Sequence, residues 1–161
     1  MTDNSRLIYL HGLESDSNSG KARLFREWFP GMLTPDFNGS FEERMEQLYP
    51  ILGDKTDWTL IGSSFGGLMG TVFCCEHPTR VRKLVLLAPA LLREQFGSYL
   101  DLQPVSVPTI VIHGILDTVV PLEPVREISQ RLFSNLTYHI VEDDHRLGRS
   151  VHELDWKSIL G

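Results

Sequence analysis

At 161 residues the chain is long enough for one domain built on a sizeable core. With 42% hydrophobic and 22% charged residues it is neither disordered nor fibrous in composition. A net charge of −6, with no basic stripe, argues against nucleic acid or an anionic membrane as partner.

In chain order, polar residues 1–6 lead straight into an apolar run at 7–10, so no signal peptide is expected. No apolar run approaches the ~20 residues of a membrane span. Short β-branched or leucine-rich runs at 7–10, 32–34, 58–61, 84–88, 109–113 and 137–141 predict strands. Segments 19–29, 40–52, 64–77, 122–133 and 150–160 predict helices. The third helix must stop before Pro78, which disfavours helical geometry in the residue ahead of it. Cys74 and Cys75 are adjacent on that helix with diverging side chains. They predict plain core filling in a reducing, cytoplasmic setting. There is no repeat and no linker, so residues 1–161 are expected to form a single domain. Strict alternation of strand and helix predicts an α/β fold: a parallel sheet with helices on both faces and right-handed crossovers. In such sheets ligands bind beyond the carboxyl ends of the strands.

The unusual residues lie at those strand ends. After the third predicted strand comes Gly62-Ser63-Ser64-Phe65-Gly66, which fits G-x-S-x-G. A serine on a tight strand-to-helix turn needs glycine two residues either side, and the turn presents its hydroxyl at a helix N-terminus. The motif alone also suits an N-cap serine in a glycine-rich turn. Two further strand ends supply the context. Asp117 follows the fifth strand in His113-Gly114-Ile115-Leu116-Asp117, and His145 follows the sixth in Glu142-Asp143-Asp144-His145. A serine nucleophile needs a base, and the base needs a carboxylate to orient it. Ser64, Asp117 and His145 supply these in the order Ser…Asp…His. The first strand ends at Leu10-His11-Gly12-Leu13, where an oxyanion loop belongs. The backbone N–H groups of Phe65 and Leu13 are the expected oxyanion donors. Asp143 and Asp144 adjoin His145 in one loop, where neighbours usually point apart, so Asp117 is the expected acid. His11 and His113 are expected to hold loops by hydrogen bonds, and His77, His139 and His152 to lie at the surface or helix ends. No residue grouping has metal-ligand spacing.

These motifs resemble those of the α/β-hydrolase superfamily, and within it the small bacterial esterases of the YqiA type. The matching segments are Tyr9-Leu10-His11-Gly12-Leu13, Ser19-Gly20-Lys21-Ala22, Gly62-Ser63-Ser64-Phe65-Gly66-Gly67 and Asp144-His145. Leu13 and Phe65 depart from the pattern of that subfamily. The resemblance implies ester hydrolysis with no cofactor, a small-molecule ester as partner, and a minimal α/β-hydrolase lacking the initial antiparallel strands. Six parallel strands are then expected in the order 2-1-3-4-5-6, with the crevice between the first and third.

The segment 89–107 lies where larger relatives insert lids, and it leaves room for no separate lid domain. Leu91, Leu92, Phe96 and Tyr99 within it are candidates for an acyl pocket or for packing on the sheet. The expectation is a serine hydrolase of small carboxylic esters or thioesters. Amide or peptide hydrolysis by the same residues, or a catalytically silent binding protein on this fold, are the rival readings.

Overall fold

The structure, a computed structural model, describes residues 3–99 and 103–161; for residues 95, 98 and 99 it describes the backbone alone. Five strands, β1 (Leu7–Leu10), β2 (Trp58–Ser63), β3 (Val81–Leu87), β4 (Thr109–Gly114) and β5 (Leu136–Val141), form one sheet in the order β1-β2-β3-β4-β5. All four pairings are parallel. The central strands are nearly all apolar because both faces are covered.

Residue alternation assigns each strand's side chains to two separate cores. Ile8, Leu10, Trp58, Leu60, Leu84, Leu86 and Val111 point to one face, where they meet α2 (Phe41–Leu52), α3 (Phe65–Glu76) and α4 (Leu122–Leu132). Tyr9, Ile61, Val85, Leu87 and Ile112 point to the other, against α1 (Gly20–Trp28), α5 (Ser150–Glu153) and α6 (Trp156–Leu160). On that second face the Phe25 and Trp156 rings meet edge to face, 4.9 Å between centroids. The helix starts carry their own signals: Ser19 caps α1 through Ala22 N–H, and Ser40 forms a capping box with Glu43 on α2.

Two expectations need correction. The sixth strand, expected at 32–34 on the outer edge in the order 2-1-3-4-5-6, does not form. Leu33 does lie on that side of β1, accepting from Tyr9 N–H and donating to Leu7 C=O, both at 2.9 Å. The pairing stops at this one bridge to Ile8. Pro30 and Pro35 bracket the run, and neither has an N–H to extend the ladder. The chain still passes outside β1 before crossing back to β2, so the reversal of direction falls between β1 and β2. The single helix expected at 150–160 is two: the backbone is extended at Leu154, and Asp155 restarts it by accepting from Ser158 N–H at 3.2 Å.

The helix that follows β2 runs unusually close to β1. A methyl group at Gly66 would lie 2.0 Å from the Leu10 carbonyl oxygen, and one at Gly62 would lie 2.4 Å from the Gly66 carbonyl oxygen. Both obstacles are backbone and cannot rotate aside. Gly66→Ala is therefore expected to cost about 3 kcal/mol or more in stability. Gly20→Ala, in open space at the start of α1, is expected to be neutral or to stabilise by up to about 1 kcal/mol. Urea denaturation of the two variants checks the contrast.

Candidate active site

The end of β2 turns into α3 within one residue. Ser64 takes φ 53° and ψ −111°, a region that L-residues rarely occupy. Three backbone hydrogen bonds hold it there. Its N–H donates to Leu87 C=O at 2.9 Å, and its C=O accepts from Leu68 N–H at 3.2 Å and Ala90 N–H at 3.0 Å. Such strain persists where the surroundings over-determine it. The first N–H groups of a helix have no intrahelical acceptor, so Phe65 N–H, at the start of α3, stands free beside the Ser64 hydroxyl.

The three residues singled out at separate strand ends come together. His145 Nε2 lies 3.1 Å from Ser64 Oγ, and His145 Nδ1 lies 2.7 Å from Asp117 Oδ2. The carboxylate can only accept, so Nδ1 carries the proton and a bare Nε2 faces the hydroxyl. Asp117 has a fully buried side chain, while His145 is 21% exposed. Burial pushes the Asp117 carboxyl up. The Val120 N–H, the His145 ring and the Val119 N–H donate to it and outweigh burial, holding it below the usual carboxylate range. Both backbone donors reach Oδ1 at 2.8 Å. Asp143 and Asp144 turn elsewhere: Asp143 accepts from Asp144 and Ser150 N–H, and Asp144 from Arg146 N–H.

Two other histidines serve as struts. His113, fully buried on β4, has Nε2 at 3.2 Å from Asp117 Oδ2 and 3.0 Å from Val120 C=O. With Nε2 donating, Nδ1 accepts from the Tyr138 hydroxyl at 3.2 Å. His11 donates from Nδ1 to Gly12 C=O at 2.7 Å and accepts Phe37 N–H on Nε2 at 2.8 Å. It thereby fixes the loop that carries Leu13.

Arg44 of α2 was not foreseen. It is buried, donating from Nε to Gly39 C=O at 3.0 Å and from Nη2 to Leu13 C=O at 3.3 Å. Its guanidinium also lies over the Phe65 ring, 5.4 Å from the centroid. One side chain thus ties together the two residues expected to donate to an oxyanion. Nothing in the sequence distinguishes it from a solvent-facing helix arginine.

A cavity of about 780 Å³ opens over Ser64 and His145 and runs along the loop after β1 to the first turn of α1. A smaller one of about 340 Å³ lies beyond Arg93, walled by Ala90, Leu92, Val119, Val120 and Pro121. Of the pocket residues expected from the sequence, Leu92 lines this smaller cavity. Leu91 and Phe96 do not: both are fully buried in the core beside α3, where the sheet and helices compete for every apolar side chain. Tyr99 ends a 3-10 helix, Glu94–Tyr99, and its side chain lies outside the described residues. Burial pushes the thiols of Cys74 and Cys75 up to about 12. Among the described residues no His, Cys, Asp and Glu side chains group as a metal site, and no helix is long and apolar enough to cross a membrane.

A sequence profile of the α/β-hydrolase fold matches residues 38–106. No curated protein sequence matches the chain. Among solved structures, α/β hydrolase domain-containing protein 10 from mouse is similar, with a TM-score of 0.73 at 18% identity over 96% of this chain and 90% of that one. A monoacylglycerol lipase from Paleococcus ferrophilus gives 0.71 at 16% identity over 96% and 93% of the two chains. Est1E from Butyrivibrio proteoclasticus, solved with ferulic acid bound, gives 0.75 at 16% identity over 91% and 83%. The protein that places a strained serine at the turn from β2 to α3, with a buried aspartate from the end of β4 and a histidine from the end of β5 beside it, therefore has the α/β-hydrolase fold.

Proposed function

We propose that the protein is a serine hydrolase of carboxylic esters or thioesters with small acyl groups. The observation that carries this reading is the unbroken contact from Ser64 Oγ through the His145 ring to Asp117. In this mechanism Ser64 Oγ attacks the ester carbonyl carbon while its proton passes to His145 Nε2. The carbonyl oxygen becomes an oxyanion, which the Phe65 and Leu13 N–H groups receive. Asp117 remains ionised and stabilises the imidazolium. The tetrahedral species collapses, the carbon–oxygen or carbon–sulfur bond to the leaving group breaks, and His145 returns its proton to that atom. Water then attacks the acyl-Ser64 ester with His145 again as base, which releases the acid and restores the hydroxyl. His113, Tyr138 and Arg44 position these groups without touching the reacting atoms.

A fluorophosphonate probe is expected to label the purified protein on Ser64, and Ser64→Ala to abolish both labelling and ester turnover. Peptide mapping of the adduct checks the site, and a label on Ser63 would refute it.

Asp117→Asn is expected to lower kcat by on the order of 10³–10⁴ through loss of the correct His145 tautomer. Asp144→Asn is expected to change it less than about tenfold, since Asp144 only accepts a backbone bond. Asp117 also links stability to pH. Its folded value lies below the ordinary one of about 4, so its contribution is fully present above that value and is lost as pH falls through the folded value. The stability gap between wild type and Asp117→Asn should therefore hold from pH 5 upward to neutrality and close in stronger acid, as read by denaturation at each pH.

Short acyl groups should be preferred. The apolar wall of Ala90, Leu92, Val119, Val120 and Pro121 borders a cavity of about 340 Å³, and each CH₂ of a long tail left outside it forgoes about 0.8 kcal/mol. Across p-nitrophenyl esters from acetate to palmitate without micelles, kcat/KM should fall past octanoate; a steady climb would contradict the reading.

A further inference from the structure

The segment Ser19-Gly20-Lys21-Ala22 has no part in the Ser64 relay, yet it reaches the same cavity. Ser19 accepts Ala22 N–H at 3.2 Å and so fixes the first turn of α1. That turn places Lys21 in the wall of the larger cavity, together with Arg146, the neighbour of His145, and Arg93, which stands where the two cavities join. Three cationic side chains thus line the space beside the nucleophile of a chain whose net charge is −6.

These cations lack mates. Among the described residues, neither Lys21 nor the Arg146 guanidinium has an ion-pair or hydrogen-bond partner, and Arg93 only lies over the Phe65 ring at 5.1 Å. Three nearby carboxylates are engaged with backbone: Asp143 with Asp144 and Ser150 N–H, Asp144 with Arg146 N–H, and Asp16 with Asn18 N–H. Glu14, which also lines the cavity, forms no ion pair with any of the three cations among the described residues. Burial, and after it the charge of Arg146, hold the Lys21 ammonium below its usual value; Asp144 and Asp143 act the other way more weakly. A cation that has given up part of its water without gaining a partner stands to gain more than an exposed one when an anion arrives.

We propose that this wing of the cavity is an anion subsite, and that the substrate is an ester bearing a carboxylate or phosphate group received by Lys21 and Arg146. This rests on the hydrolase reading and names its substrate class. The net charge of −6 disfavours anions, so local positive charge is what admits one.

The test compares two matched pairs of esters. The acyl arm is read with the aryl half-ester of adipic acid against the aryl hexanoate. The alcohol arm is read with butyryl glycerol 3-phosphate against butyryl glycerol. In at least one pair kcat/KM should favour the anionic ester by about tenfold or more. Lys21→Gln and Arg146→Gln should each lower that ratio by about threefold to tenfold, while Lys157→Gln, an exposed charge on α6, should leave it unchanged. A ratio of one or less in both pairs, or one indifferent to both substitutions, overturns the proposal. Absence of turnover on all four esters, neutral and anionic alike, would instead refute the hydrolase reading. Calorimetry with adipate and with glycerol 3-phosphate on Ser64→Ala then reads the subsite alone: binding weakened by Lys21→Gln supports it, and no binding overturns it.

Discussion

The approach of α3 to the end of β1 sets the distances on which the chemistry depends. With no side chain at residue 66, the helix start abuts the Leu10 carbonyl, and three groups from different elements crowd into one place. They are the Ser64 hydroxyl, the free N–H at the head of α3, and the His11-Gly12-Leu13 loop. The register Leu10↔Gly62 puts the two strand ends level, so the loop after β1 and the turn after β2 emerge side by side. His11 from one direction and Arg44 from the other then keep the loop from drifting. The proposed oxyanion site, assembled from backbone in this way, would need no further residue type, only fixed backbone.

The carboxylate side of the site follows a different logic. A buried charge is tolerated only if its lone pairs are occupied. Asp117 meets that condition with two backbone N–H groups on one oxygen and two imidazoles near the other. Through His113 and Tyr138 Asp117 is braced by β4 and β5 as well as by its own loop. His145, the proposed base, is left partly open to solvent, as the second half of a hydrolytic cycle would require.

Much of this was legible in the order of residues because parallel strands write their function at their carboxyl ends. Ser64, Asp117 and His145 each follow an apolar run, and their meeting needs only the sheet that those runs imply. The five long strands were recoverable for the same reason. The run at 32–34 was not, since apolarity speaks for a strand while the flanking prolines, which decide how many ladder bonds can form, speak against it. Leu91 and Phe96 read equally as pocket or core, and only the proximity of α3 resolves them into core. Arg44 carried no signal at all. Its importance lies in two carbonyls and an aromatic ring that adjoin it in space and are remote or inconspicuous in sequence. Lys21 was visible as part of a motif, but its lack of an ion-pair partner among the described residues is a property of the folded cavity.

The backbone at Ser64 has a consequence for how the protein can change. A positive φ at a residue with a Cβ costs on the order of 1–3 kcal/mol, and here it falls on Ser64, the proposed nucleophile. Glycine at that position would relax the turn and forfeit the hydroxyl. On the proposed mechanism, the most accessible gain in durability is thus one that would abolish turnover, so stability and activity would oppose each other at one codon. If Ser64 acts as the proposed nucleophile, drift toward greater robustness would leave an inert copy of the same scaffold.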